Sequence, residues 1–462
     1  VPADAVIRLG PVTAGKASTV GDPRALRHDD PMAAARGDDD DARTTGQQFL
    51  LASVVGALNT QNARSPLRRT GRGGVLAFFP GWLTSEMPLH AIGWQALASA
   101  AWLRKGALRS LEGWAALGLS AWSWRELTQV WKLSTQAGEV FDEALREGLG
   151  DELDTGDQPM VPKDEVTIDR RRIASGPLTR WRRRYVSEPS FSYGDAGRRN
   201  QLDIWKRPDL PADARAPVLI NVHGGAWIIG NKDQQAMPLM AHLADRGWVC
   251  VSINYRLSPR ATWPDHIVDV KRAIAWVKAN IAEHGGDPDF VCISGGSAGG
   301  HLSSLAALSA NEPAFQPGFE DADTSVQAAV PFYGVYDFTN RDGTGRADME
   351  DFLSRLFFKS KLAEAHDQWE QASTMSWVGH DAPPFFVVHG SNDTLVPVEQ
   401  ARSFVAMLRA QSKEPVLFAE LPGAQHAFEI FDSPRTLFSV SAVHRFLEAI
   451  RVREQHEDHA EP

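Results

Sequence analysis

The sequence predicts an α/β protein: a mostly parallel, doubly wound sheet with a helical N-terminal extension or cap. Three observations predict it. From about Tyr185 onward, short apolar runs alternate with amphipathic stretches of helical period, the pattern of strands joined by crossover helices. Several of those runs end in loops bearing Gly, Ser, Asp or His, where ligands of such sheets gather. Ahead of them, seven of the fifteen tryptophans fall between Trp82 and Trp131, in runs that read as helix.

Bulk properties bound the rest. At 462 residues the chain has room for one large unit plus a substantial extra segment. With 43% apolar and 23% charged residues and a net charge of −10, it gives no reason to expect a nucleic-acid partner. Cys250 and Cys292 both fall in expected strands that flank a third. Their sulfurs then lie roughly 10 Å apart, too far for a disulfide. Two buried thiols fit a reducing compartment, and the expected location is cytoplasmic with peripheral membrane association.

Taken in order, residues 1–46 are rich in Ala, Gly, Asp and Arg, including the run Asp38 to Asp41, and are expected to form a disordered tail. They lack the basic patch, apolar core and small-residue cleavage site of a targeting segment. Residues 47–150 are expected to be helical, with "AIGWQALASAAWL" and "GALRSLEGWAALGLSAWSW" forming a hairpin. Neither run reaches the ~20 apolar residues of a spanning helix. Packing on protein or lying in a membrane interface is therefore favoured over two spans. Residues 151–184 read as an acidic connector followed by a block of seven arginines from Arg170 to Arg184. That block is either a solvated face or a site of attraction to anionic headgroups.

A catalytic unit is expected over 185–452, with a tail at 453–462. Its strands are "QLDIWKR", "APVLINV", "WVCVSINY", "FVCISGG", "VQAAVPFY", "PPFFVVHG" and "PVLFAEL". Helices are expected around Pro238 to Asp245, after Pro264, after Ser297, after Pro397 and from the last strand to about Ile450. An irregular insertion is expected from Asp337 to Val378.

Chemistry concentrates at strand ends. In "VCISGGSAGGHLSSLAAL" a strand turns into a helix through a serine fenced by glycines. That is the pattern of a nucleophile elbow, where Ser297 stands clear of the sheet and its neighbours two residues away must be small. A serine hydroxyl needs a base to take its proton and a carboxylate to orient that base. "HGSNDTLVP" places Asp393 at a strand end and "PGAQHAFE" places His426 at the next, in the order Ser, Asp, His. "NVHGGAW" supplies a cradle for a tetrahedral oxyanion, with Gly224 and Gly225 acting beside the amide of Ala298.

"HGGAW", "NYRLSP", "GGSAGGHL", "HGSNDTLVP" and "HAF" together resemble the hormone-sensitive-lipase-like esterases and their bacterial α/β-hydrolase relatives, over about Tyr185 to Ile450. "FPGWLTSEMPLH" with the tryptophan-rich runs resembles the N-terminal region of actinobacterial Lip-type esterases of that group. The resemblance implies an α/β-hydrolase fold and a serine carboxylic-ester hydrolase. Ser297 is then the nucleophile, Asp393 the orienter, His426 the base, and Gly224, Gly225 and Ala298 the oxyanion hole. It implies a small-molecule ester of short to medium acyl chain as substrate.

Two positions depart from the family pattern. Gly296 stands where many members have an acidic residue, and Ala226 followed by Trp227 replaces a third glycine. The second form also looks like relatives that cleave N-formyl or aryl amides, or feruloyl-type esters. His223, His301, Tyr255 and Arg256 read as scaffolding around the site. No metal-ligand spacing and no phosphate-cradling glycine loop occurs, so neither metal nor cofactor is expected.

Overall fold

The computed structural model describes residues 31–66, 71–150, 182–186, 188–346 and 348–460. An eight-stranded sheet runs in the order β1-β2-β4-β3-β5-β6-β7-β8. Its strands are β1 (Phe191–Ser192), β2 (Gln201–Trp205), β3 (Ala216–Val222), β4 (Val249–Ile253), β5 (Gly286–Gly296), β6 (Ala329–Phe332), β7 (Phe385–Gly390) and β8 (Val416–Leu421). β1 and β2 pair antiparallel at one edge, and every pairing from β4 to β8 is parallel. The central strands are buried on both faces, as their unbroken apolar runs require. Leu219 on β3 lies between Cys250 and Cys292 on its two neighbours, so the cysteines are buried free thiols one strand apart on each side.

Ahead of the sheet lies a series of helices: α1 (Pro31–Arg64), α2 (Gly71–Glu86), α3 (Pro88–Arg104), α4 (Leu111–Thr135) and α5 (Ala137–Leu149). Crossover helices of the sheet are α6 (Met237–Asp245), α7 (Asp265–Asn280), α8 (Ala298–Leu308) and α11 (Val398–Gln411), and α12 (Pro434–Ala460) follows the last strand. Ser110 caps α4, its side chain accepting from Gly113 N at 3.2 Å.

Several boundaries differ from the sequence reading. α1 begins at Pro31, inside the expected disordered tail; proline suits the first helical position, and Ala33 to Ala35 follow it. α12 continues to Ala460, through the expected C-terminal tail, and Arg453 pairs with Glu414 there. The 337–378 insertion is not irregular. It forms α9 (Met349–Leu356) and α10 (His366–Ala372), which bring Phe357, Phe358 and Trp369 into the core. α5 shares a hydrophobic cluster with β7, β8 and α12, so it packs with the sheet and not with the helices before it. Most of the 151–184 connector, with Arg170, Arg171, Arg172 and Arg180, lies outside the described residues.

Candidate active site

β5 ends at Gly296, and α8 begins at Ala298. Between them Ser297 has φ 58° and ψ −119°, a strained conformation that projects its side chain from a sharp turn. The glycines are demanded by backbone approach. A Cβ on Gly295 would stand 2.5 Å from Gly299 O, and one on Gly299 would stand 2.0 Å from Val222 O. The turn is pinned by Ser297 N donating to Phe332 O at 2.9 Å.

Asp393 and His426 follow β7 and β8. His426 Nδ1 lies 2.6 Å from Asp393 Oδ2, with both side chains buried. Asp393 Oδ1 accepts from the amides of Leu395 and Val396, each at 2.8 Å. His389, which the sequence reading passed over, lies with Nε2 3.2 Å from Asp393 Oδ2 and 3.0 Å from Val396 O. Burial alone would raise the Asp393 carboxyl. The facing His426 ring and the bond from His389 outweigh burial and hold it well below the usual carboxylate range. Asp393 therefore stays ionised and fixes the orientation of the imidazole.

Tyr333 links the two halves of the site. Its ring lies 4.4 Å from that of His426, and its hydroxyl would be 2.7 Å from a Cβ on Gly296. The elbow and the imidazole thus flank one aromatic side chain. Among the described residues no hydrogen bond joins Ser297 to His426 directly. Behind Tyr333, buried Glu429 accepts its hydrogen bond, and burial pushes the Glu429 carboxyl up to about 7.

The glycine loop after β3 packs on the elbow, since a Cβ on Gly224 would stand 3.1 Å from Ser297 Cβ. The amide of Gly224 is engaged by Gln235 Oε1 at 2.6 Å. Among the described residues the amides of Gly225 and Ala298, with that of Ala226, carry no hydrogen bond. Gln235 lies eleven residues downstream, and nothing in the local sequence announced it. Trp227 is 2% exposed, with its ring 4.9 Å from Phe357 and its Nε1 donating to His301 Nδ1 at 3.2 Å. The Trp227 side chain of the Ala226–Trp227 departure is therefore buried in the core beneath the loop.

The scaffolding residues sit as expected. His223 stacks on Tyr255, whose hydroxyl donates to His223 O at 3.0 Å. Burial pushes the imidazoles of His223 and His301 down to about 4, so both stay neutral. Arg256 holds Asp265 and Asp269, with contacts of 2.8 Å to each. Among the described residues no group of His, Cys, Asp and Glu is arranged to hold a metal.

The helical layer reaches the site through α2. Phe78 meets the His426 ring edge-on at 6.1 Å, and Trp82 Nε1 donates to Ala427 O at 2.8 Å. Glu86 pairs with Arg435 at 2.9 Å, both side chains fully buried. On the Asp393 side, Thr394 Oγ1 donates to Gly74 O at 3.2 Å and Asn392 Nδ2 to Arg64 O at 3.0 Å.

A parallel sheet with a serine elbow at one strand end and an Asp–His pair at two others defines an α/β hydrolase. The BD-FAE family pattern matches residues 202–408. The probable carboxylic ester hydrolase LipM of Mycobacterium tuberculosis is 48% identical over 402 residues, covering 86% of this chain and 92% of the relative. Esterase LipQ of the same organism is 44% identical, covering 81% and 85%. Its esterase LipC is 46% identical, covering 58% and 66%. The chain belongs to the Lip-type carboxylic ester hydrolases of the α/β-hydrolase fold.

Proposed function

We propose that this protein hydrolyses small-molecule carboxylic esters through an acyl-enzyme on Ser297. The observation that carries the reading is the buried 2.6 Å contact between Asp393 and His426, set beside the strained Ser297 turn. With Nδ1 committed to Asp393, His426 keeps Nε2 for proton transfer. His426 takes the Ser297 proton as Oγ attacks the ester carbonyl, then returns it to the leaving alcohol. Water, activated by the same imidazole, releases the acid and restores Ser297.

The negative oxygen formed in each step is held by backbone amides. Gly225, Ala226 and Ala298 are the donors this reading assigns, because Gly224 already serves Gln235. Phe78 bounds the site beside His426, and the acyl groups this reading assigns are short to medium, as the family resemblance implies. Among the described residues no helix is long and apolar enough to cross a membrane.

Ser297→Ala tests the chemistry. Its kcat on short p-nitrophenyl esters is expected to fall at least ~10⁴-fold with the thermal midpoint preserved. Near-wild-type turnover by this variant would remove the assignment. Measuring kcat/KM from acetate to palmitate esters tests the chain-length reading, which fails if the longest esters are preferred.

A further inference from the structure

Thirteen of the fourteen exposed large apolar side chains among the described residues lie between Leu51 and Trp114. They follow helical spacing on outer faces: Leu51, Val55 and Leu58 on α1, Leu76 and Phe79 on α2, and Leu97 on α3. The interior of the same layer is the opposite in character. Ser53 meets Ser120 at 3.0 Å and Thr60 meets Ser123 at 2.5 Å, both pairs buried. Asn59 donates to Thr84 at 2.5 Å. Small residues let the helices close on one another: a Cβ on Gly81 would stand 2.7 Å from the Asn62 amide, and one on Gly46 would meet the Ser110 side chain. The layer's buried apolar residues are Phe49, Phe78, Leu127 and Val130 with small alanines such as Ala107 and Ala116.

A bundle surrounded by water hides its apolar stripe and shows its polar one. Small residues and hydroxyl pairs between helices, with apolar side chains outside, are the arrangement of helices whose surroundings are apolar. Charge names the kind of surroundings. Residues 31–135 carry eleven Arg and Lys against seven Asp and Glu, in a chain whose net charge is −10. Four of the acids are Asp38 to Asp41 near the start of α1, and Glu126 pairs with Arg64 and Arg125, so within 47–125 the balance is eight to two. Of the two acids, Glu86 is buried against Arg435 and Glu112 lies 3.3 Å from Arg43. Arg104, Lys105 and Arg109 cluster at the turn from α3 to α4, beside exposed Leu111 and Trp114.

We propose that the outer face of α1–α4 is a lipid-docking surface, seated in the interfacial and upper acyl region of an anionic bilayer with the α3–α4 turn among its headgroups. The layer enters from one side, since among the described residues no helix is long and apolar enough to span. α2 joins this surface to the site: Phe78 and Trp82 face the His426 loop, while Leu76, Phe79 and Leu83 face outward. Esters dissolved in the bilayer therefore reach the rim of the site across a single helix. Only that last step rests on the ester-hydrolase reading; vesicle binding is measured without turnover.

The test is flotation of the full chain with phosphatidylcholine vesicles, with and without phosphatidylglycerol, alongside the triple variant Leu51→Glu, Trp94→Glu, Leu97→Glu. The wild type is expected to float with the anionic vesicles and several-fold less with neutral ones. The variant is expected to float at least ~10-fold less while hydrolysing soluble p-nitrophenyl acetate at the wild-type rate. Wild type that stays unbound to both vesicles, or a variant that floats equally well, overturns the proposal. So does a wild type that light scattering shows to be a dimer and the variant a monomer, because a second copy then covers the face. Failure of ester turnover with vesicle binding intact would instead count against the catalytic reading alone.

Discussion

Asp393 shows how little of a side chain's task is visible in its identity. Its two oxygens are saturated by His426, His389 and two backbone amides, so it can hold one imidazole tautomer and do little else. Asp393→Asn keeps the shape and loses the charge, and kcat is expected to fall ~10⁴-fold with little change in KM. A loss under tenfold would show that the imidazole does not depend on this partner. The positions of Ser297, Asp393 and His426 after three separate strands were legible because each follows its own apolar run, in the order Ser, Asp, His. Gln235 and Glu429 were not: Gln235 gains its role from a hydrogen bond from Gly224 N that only the folded loop makes, and Glu429 from burial behind Tyr333. Glu429 yields a pH prediction. Burial raises its carboxyl to about 7, more than the Tyr333 hydrogen bond lowers it. The fold therefore favours the neutral acid: that stability is fully present below the unfolded value near 4.5 and is lost as pH rises through about 7. The loss amounts to about 3 kcal/mol. Urea unfolding at pH 5 and pH 8 should show this decline in the wild type and a flatter profile in Glu429→Gln. Identical slopes would remove the assignment.

At the scale of elements, the sheet was read well because its strands are continuous apolar runs between glycine and proline punctuation, a signal confined to a few neighbouring residues. α9 and α10 were missed for the converse reason: they are short, and their helical form is secured by aromatic packing on Trp227 and its surroundings. α2 has Pro80 inside it, and its partners around the site, Ala427 and Arg435, lie more than 300 positions away. No local pattern could have announced that it braces the His426 loop. Trp82→Phe keeps the ring that packs on Phe431 at 4.6 Å and loses the bond to Ala427 O. A hydrogen bond of ~1 kcal/mol that orients the base should lower kcat several-fold and leave KM within about twofold. Equal losses in both parameters would mean that α2 lines the substrate pocket instead. Glu86→Gln leaves Arg435 buried without its carboxylate, and the expected stability loss is ~3–5 kcal/mol by denaturant titration.

For the whole molecule, the sequence reading divided the chain near residue 150, where tryptophan-rich helix gives way to a turn-rich connector. Packing puts the division earlier, between α4 and α5. A Cβ on Gly138 would meet the Phe438 ring at 2.8 Å, and one on Gly148 would meet Leu417 at 2.3 Å. Phe141 lies edge-on to Phe386 at 6.1 Å, and Asp142 pairs with Arg445 at 2.9 Å. Phe141, Leu145 and Leu149 are all buried against the sheet. At ~1.5–3 kcal/mol for each fully buried side chain, the three together contribute ~5 kcal/mol or more. That rivals the ~5–15 kcal/mol that keeps a domain folded. A chain beginning at 137 is therefore expected to unfold cooperatively, with reduced kcat because α2 no longer braces His426. One beginning at 151 is expected to lose its near-ultraviolet dichroism and aggregate. Equal thermal midpoints for the two truncations would show that α5 is a passenger on the sheet, and the division would return to the connector.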